Sequence, residues 1–398
     1  MGWDDGQALS ARFEHARSLL KRQKPHWSLG GTSSGFTQAL VRESPRMDRV
    51  LMARLQQVLR QESGAYWTRS GWLAFAVDGT RIEAPHTLDC EQGLGIAGRD
   101  KSAPQVFLTC LWHMGTGLPW DYRLGSGRES ERTHAMELLP ALPAGSLLVA
   151  DAAFVGYEFL RSLLERGHHF LVRAGKNVIL LRKLGYHVEE HGDTVYLWPQ
   201  NQRGHHPPLV LRLIRLRQGK RHMALLTSVL EESRLSASAA QALYRLRWGE
   251  ELFFRALKQT LGRHTLQSRT AVTCLVEADW TVKSLWVLGL LTIGPLIQAG
   301  HDPLRWSVAR SRDAVRVGLR DPLARPRPRE RVRRYRHTLA HLLREAHVDG
   351  YERKRPKPAR NYPRKKREKP PGTPKLKRAT KVLIQLAQQV GTTKDPKS

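Results

Sequence analysis

The chain changes its hydrophobic period several times, and those changes divide it. Over residues 1–70, apolar residues recur at three- and four-residue steps in SARFEHARSLLKR and SPRMDRVLMARLQQVLRQ, the pattern of amphipathic helices. Between them, SLGGTSSGFTQALVR offers Ser33 or Ser34 as the cap of a further helix. From Gly71 the pattern turns to short apolar and β-branched runs. WLAFAVDGTRIEAP predicts a strand with Asp78 at its polar end, and QVFLTCLWHM and GLPWDYRLG predict two more, joined by a turn at Gly115 to Gly117. SERTHAMELLPAL predicts a helix, GSLLVADAAF a buried strand ending at Asp151, YEFLRSLLERG a helix stopped by Gly167, and HHFLVRA another strand. Hydrophobic strands separated by helices imply a partly parallel sheet covered by helices.

Residues 176–230 interrupt that alternation. NVILLRK, GYHVEEHGDTVYLWP, PLVLRLIRLR and KRHMALLTSV are strand-like and joined by Gly, Asp, Asn and Pro turns, which predicts an antiparallel β insertion. The helical period returns in SASAAQALYRLRWGEELFFRALKQTLG, closed by Gly262, and residues 269–299 continue as one or two helices. The apolar run Leu285 to Ala299 contains Pro295 and falls short of the roughly twenty residues a membrane span needs, so a buried core helix is expected. Beyond about residue 320 the chain is basic and Pro-punctuated. From Arg353 to Lys381 its only acid is Glu368, and such a stretch cannot bury enough apolar surface to fold alone. Disorder is expected there, with a short helix at KVLIQLAQQV.

Composition adds a partner. Among 398 residues, 66 Lys and Arg stand against 36 Asp and Glu, a formal net charge of +30. The excess points to a polyanion, nucleic acid first, whereas a basic membrane-binding protein would want a basic amphipathic helix with a hydrophobic face. Arg12, Arg17, Lys21, Arg22 and Lys24 make the N-terminal helices either a DNA-binding unit or a packing domain with a solvated basic face. Cys90, Cys110 and Cys274 include no CxxC, which excludes a disulfide framework and a zinc knuckle and suits a reducing cytoplasm. The opening MGWDDGQALSARF carries no secretory signal.

Candidate chemistry sits on carboxylates. Read as a helix at about 100° per residue, Tyr244, Arg247, Glu251 and Lys258 fall within about 60° of one line, while Leu246, Phe253 and Leu257 gather on another side. One carboxylate flanked by two cations and a phenol suits a metal ion and a phosphate backbone; a solvated salt-bridged face would show the same spacing. Asp78 and Asp151 close strands, and open α/β sheets place their sites at such strand ends. Three converging carboxylates would hold two divalent cations, and hard oxygen ligands favour Mg²⁺ or Mn²⁺. Singly, each Asp reads equally as a turn former or helix cap. Other motifs lack their context. Gly93, Gly95 and Gly98 spell GxGxxG without a preceding strand or an opening helix, and HVEEH (His187 to His191) has the spacing of a helical zinc site inside hairpin-like sequence. No GK[ST] is present, so no nucleotide cofactor is expected.

The chain resembles bacterial insertion-sequence transposases of the DDE class, the IS-four-type branch whose last acid lies in a Tyr-x2-Arg-x3-Glu-x6-Lys signature. Tyr244, Arg247, Glu251 and Lys258 match that spacing, and VDGT at Asp78 and LLVADAAF at Asp151 resemble the first and second acids. The resemblance covers roughly residues 70–300. It implies an α/β fold: an RNase H-like catalytic domain over 71–300 with the β insertion at about 176–230, a helical N-terminal domain over 1–70, and a basic C-terminal region over 301–398. It implies Asp78, Asp151 and Glu251 as catalytic, metal-holding acids with two Mg²⁺ or Mn²⁺ ions. Tyr244, Arg247 and Lys258 would touch the transposon-end phosphates, and Trp198 would stack on a base flipped from the end DNA or else be core. The expected activity is metal-dependent cleavage at transposon ends and strand transfer into target DNA, by a homodimer on double-stranded DNA, in the cytoplasm with the nucleoid. A DNA-binding remnant without activity and a metal nuclease without strand transfer are the alternatives.

Overall fold

The computed structural model describes residues 2–4, 8–96, 103–175, 181–182, 185–199, 205–218, 221–320, 340–341, 343–344 and 385. Helix α1 (Leu9–Gln23) and helix α2 (Ser33–Glu62) come first, followed by strand β1 (Ala74–Glu83), the short helix α3 (Leu88–Gly93) and strands β2 (Gln105–His113) and β3 (Leu118–Ser126). Helix α4 (Glu131–Leu138), strand β4 (Leu147–Ala150), helix α5 (Tyr157–Glu165) and strand β5 (His169–Gly175) follow. Strands β6 (His187–His191), β7 (Thr194–Trp198), β8 (Leu209–Gln218) and β9 (Arg221–Thr227) lead to helices α6 (Ala237–Leu246), α7 (Gly249–Arg255), α8 (Ala271–Gln298) and α9 (Val308–Arg320).

The described strands form one nine-stranded sheet in the order β3-β2-β1-β4-β5-β9-β8-β7-β6. β1 runs parallel to β4 and β4 parallel to β5, while every other neighbouring pair is antiparallel. Strands covered by helices on both faces read as continuous apolar runs, and β4 is buried at all four residues. The antiparallel strands β6 to β9 extend this sheet through the β5–β9 pairing and share its hydrophobic core. Most of NVILLRK lies outside the described residues; Leu181 and Arg182, which are described, are helical, where a strand was expected.

Two expectations for the helices change. A single helix α2 takes the place of the two expected, and its cap is Thr32, whose side chain accepts from the Gly35 N–H at 3.1 Å. Pro45 interrupts one backbone hydrogen bond within it, but α2 packs along α8, where Ser44 Oγ accepts the Trp280 indole N–H at 2.8 Å. Residues 271–298 form one helix of 28 residues, long and apolar enough to cross a membrane by length and composition, yet most of its apolar stretch is buried against the rest of the chain. Its one buried cation, Lys283, donates to Asp279 and to Asp48 of α2, so the desolvated charge is paired across the two helices.

The chain divides into two compact units, Met1–Lys354 and Arg355–Ser398. The expected disorder from Arg353 and the expected helix at KVLIQLAQQV lie, Gln385 excepted, outside the described residues.

Candidate active site

The site begins with a register. β1 and β4 pair as Ala74 with Leu147, Phe75 with Leu148 and Ala76 with Val149. Continued by two residues, that register sets Asp78 opposite Asp151, and paired residues of parallel strands point to the same face. Asp151 lies just past β4, where its Oδ1 accepts from the Ala153 N–H at 2.7 Å and caps a 3₁₀ turn over Ala152–Phe154. Asp78 lies mid-strand, not at the strand end that sequence predicts. β1 runs on to Glu83 because DGTRIE keeps pairing with β2, from Asp78 opposite Cys110 to Glu83 opposite Gln105. The aspartate therefore stands where the parallel neighbour stops, and its Oδ1 accepts from the Gly79 N–H at 2.9 Å.

The helical row does not run straight. α6 ends at Leu246, Arg247 and Trp248 form a turn, α7 starts at Gly249, and Ala256–Thr260 widens into a π-helical turn. At the break the chain passes over the Trp112 ring of β2 at Gly249, a residue without a side chain, where a Cβ would overlap the ring. The break turns Arg247 inward. It is 7% exposed, its Nη1 lies 3.7 Å from Asp78 Oδ2, and its guanidinium lies 5.5 Å from the Tyr244 ring centre and 5.4 Å from that of Trp248.

Tyr244 is buried, and burial pushes its phenol up against the opposing pull of the Arg247 and Arg173 guanidiniums. Lys258 is half-buried in the π turn, where desolvation lowers its pKa and the Glu83 carboxylate raises it. Glu251 is exposed on α7, which packs against β1, and the neighbouring Trp248 and Leu252 are 52% and 49% exposed. Among the described residues, no three of His, Cys, Asp and Glu stand close enough to hold a metal ion directly, so Glu251 is not gathered onto the aspartate pair. Trp198 is buried on β7, stacked on Tyr196 at 6.2 Å and edge-on to His187 at 5.4 Å. Four strand steps separate β7 from β4, about 19 Å at the usual strand spacing, so Trp198 is not beside the aspartates.

One acid that sequence reasoning missed does stand beside them. Glu131 opens α4, and its carboxyl is pushed up to about 7 by burial first and then by the charges of Asp78 and Asp151, against the Gly79 N–H and Arg81. Negative charge therefore accumulates where the two strands part. Such a set of hard oxygen donors, with one acid already driven toward neutrality, suits a divalent cation such as Mg²⁺ or Mn²⁺. Nothing in the one-dimensional spacing marks Glu131, since after Ser130 it reads as an ordinary first-turn acid.

The remaining motifs take ordinary places in the fold. HVEEH forms β6, paired to β7 as a hairpin, which cannot bring its two histidines onto one helical face. Gly93 ends α3, so no strand leads into the GxGxxG run. Cys90, Cys110 and Cys274 are free and buried, with Cys90 Sγ and Cys274 Sγ 3.8 Å apart.

The family model described as "Transposase DDE domain" matches residues 70–275. The transposase InsG for insertion sequence element IS4 of Escherichia coli (strain K12) is 26% identical over 223 residues, 53% of this chain and 50% of that protein. The putative transposase InsZ of the same organism is 26% identical over 114 residues, 27% of this chain and 38% of that protein. The chain thus spans half or less of the length of these curated relatives. A solved piggyBac transposase synaptic complex with hairpin DNA aligns over 68% of this chain and 57% of that chain, at TM-score 0.36 and 12% identity, which transfers no structural detail.

Proposed function

The chain belongs to the DDE-domain transposase family, in its IS4-type branch, and from that premise we propose that it cuts DNA at the ends of a mobile element and joins those ends to target DNA. The observation that carries this reading is the β1–β4 register, which, continued two residues past its last pair, brings Asp78 and Asp151 to the same place where β4 stops, with Arg247 beside Asp78. The catalytic core is read as RNase H-like, with residues 1–70 as a helical N-terminal domain, 71–300 as the catalytic domain and 301–398 as a basic C-terminal region.

Asp78 and Asp151, joined by Glu251 once DNA is bound, would hold two divalent cations, Mg²⁺ or Mn²⁺. When bound, the cations would polarise the scissile phosphodiester and stabilise the departing oxygen. The chain's own residues do the rest. Gly79 and Ala153 N–H groups fix one oxygen of each aspartate, which sets the direction of the other. Arg247 can clamp a phosphate while its guanidinium is held between two aromatic rings, and Lys258 adds a point charge. Tyr244 packs beneath Arg247 and limits where it can swing. Hydrolysis at the element's end bonds a water oxygen to phosphorus and releases a 3′ hydroxyl. That hydroxyl oxygen then bonds to the phosphorus of a target phosphodiester, whose own 3′ oxygen departs as a hydroxyl, so one site serves both steps. The excess of 30 positive charges would hold DNA largely through phosphates, and two ends brought together imply a homodimer.

The test is incubation of the full chain with labelled DNA carrying the element's own ends, in Mg²⁺ or Mn²⁺. End-specific nicks together with joined products are expected. Nicks at the ends with no joined products would support a metal nuclease instead, and tight binding without cleavage would mean a DNA-binding remnant.

A further inference from the structure

Helix α4 is fastened at its first turn to both strands of the site. Glu131 is its first residue, and its carboxylate lies directly against the backbone of Gly79, the residue next to Asp78. A Cβ on Gly79 would come within 2.5 Å of Glu131 Oε1, so glycine after the first aspartate is what lets this carboxylate approach the strand. The next residue, Arg132, donates through Nη2 to the carbonyls of Ala153 at 2.7 Å and Val155 at 3.2 Å, in the turn that Asp151 caps. Two successive residues therefore tie one helix start to the backbone just after each aspartate.

A purely structural role does not account for this arrangement. A carboxylate crowded by two others costs stability, and a neutral amide of the same shape would fill the same place without that cost. A carboxylate has about four acceptor positions to offer to water. We propose that Glu131 is a positioning residue of the divalent-cation site, holding through hydrogen-bonded water the cation that Asp78 and Asp151 bind. Water stands between because no three acids among the described residues are close enough to bind one ion directly. The proposal rests on the metal-dependent reading above and adds a residue that the acid triad does not contain.

The test uses the full chain without DNA and Mn²⁺ alone as the probe. Free Mn²⁺ is followed by electron paramagnetic resonance for wild type, Glu131→Gln and Glu131→Asp, and melting curves are recorded in parallel. Loss of such a water-holding partner typically weakens metal affinity about 10–100-fold. Glu131→Gln is expected to weaken Mn²⁺ binding by that factor while melting at the same temperature or higher, because like-charge crowding is relieved. Glu131→Asp, which keeps the charge, is expected to recover part of the affinity. Equal Mn²⁺ affinity in wild type and Glu131→Gln would overturn the role of Glu131 and leave the aspartate pair standing. No Mn²⁺ binding by the wild type would overturn the metal reading itself, and this inference with it.

Discussion

Arg247 and His113 show what burial adds to a residue that spacing alone can only locate. Arg247 can be placed on a polar row by counting, but its descent to 3.7 Å from Asp78 depends on a helix break that counting does not see. His113 illustrates the energetic side. Its Nε2–H donates to the Trp67 carbonyl at 3.1 Å, its Nδ1 accepts from Thr116 at 2.8 Å, and its ring stacks on Trp67 at 4.9 Å. Burial lowers its pKa from 6.5 to about 4, with the nearby Arg69 charge adding to the effect and the Trp67 bond opposing it. Between those values the unfolded chain binds a proton that the folded chain refuses. The stability from this group is thus complete above pH 6.5 and is lost as pH falls toward 4. The shift corresponds to about 3 kcal/mol. Urea unfolding at pH 7, 5.5 and 4.5 is expected to show wild type losing most of that margin relative to His113→Gln. Parallel pH profiles for the two proteins would contradict it.

At the scale of elements, helix α7 is the part whose position depends on one atom's absence. Its start passes over the Trp112 ring at Gly249, so Gly249→Ala forces a methyl into that ring. Such overpacking typically costs about 1–3 kcal/mol. Chemical unfolding is expected to show that loss, and Trp112→Phe in the same chain is expected to restore part of it, a coupling of at least about 0.5 kcal/mol between contacting residues. Additive effects would mean that Trp112 does not dictate the break. The run of strands and helices from β1 to β5, the buried apolar stretch within α8 and the hairpin around HVEEH were legible in hydrophobic period and turn residues, because those depend on neighbours in sequence. That α8 is one helix and not two is left open by the same signals. The union of two expected helices into α2 was not, because Pro45 argues locally for an interruption and only packing on α8 overrides it. The true end of β1 was hidden for the same reason: DGTRIE is polar, and pairing with β2 extends the strand.

For the whole molecule, the sheet's register is what converts two distant aspartates into one site. Asp78 and Asp151 were readable as strand-associated acids with a family resemblance, but their alignment across β1 and β4 is a property of the assembled sheet. Glu131 was illegible for a stronger reason. Its helix start is ordinary, and only the Gly79 contact and the Arg132 anchor bring it close enough to feel the charge of both aspartates. Glu251 is the reverse case: its motif is strong in the sequence, yet in the structure it stands exposed on α7 and apart from the pair. The central claim is that these acids form one catalytic set. It is tested most directly by cleavage rates on the element's end DNA in Mg²⁺ for Asp78→Asn, Asp151→Asn and Glu251→Gln, with DNA affinity measured alongside. Each substitution is expected to slow cleavage by at least about 10²–10³-fold while leaving affinity near that of wild type. Cleavage at the wild-type rate by either aspartate variant would contradict the account, and by Glu251→Gln alone would remove that residue from the set.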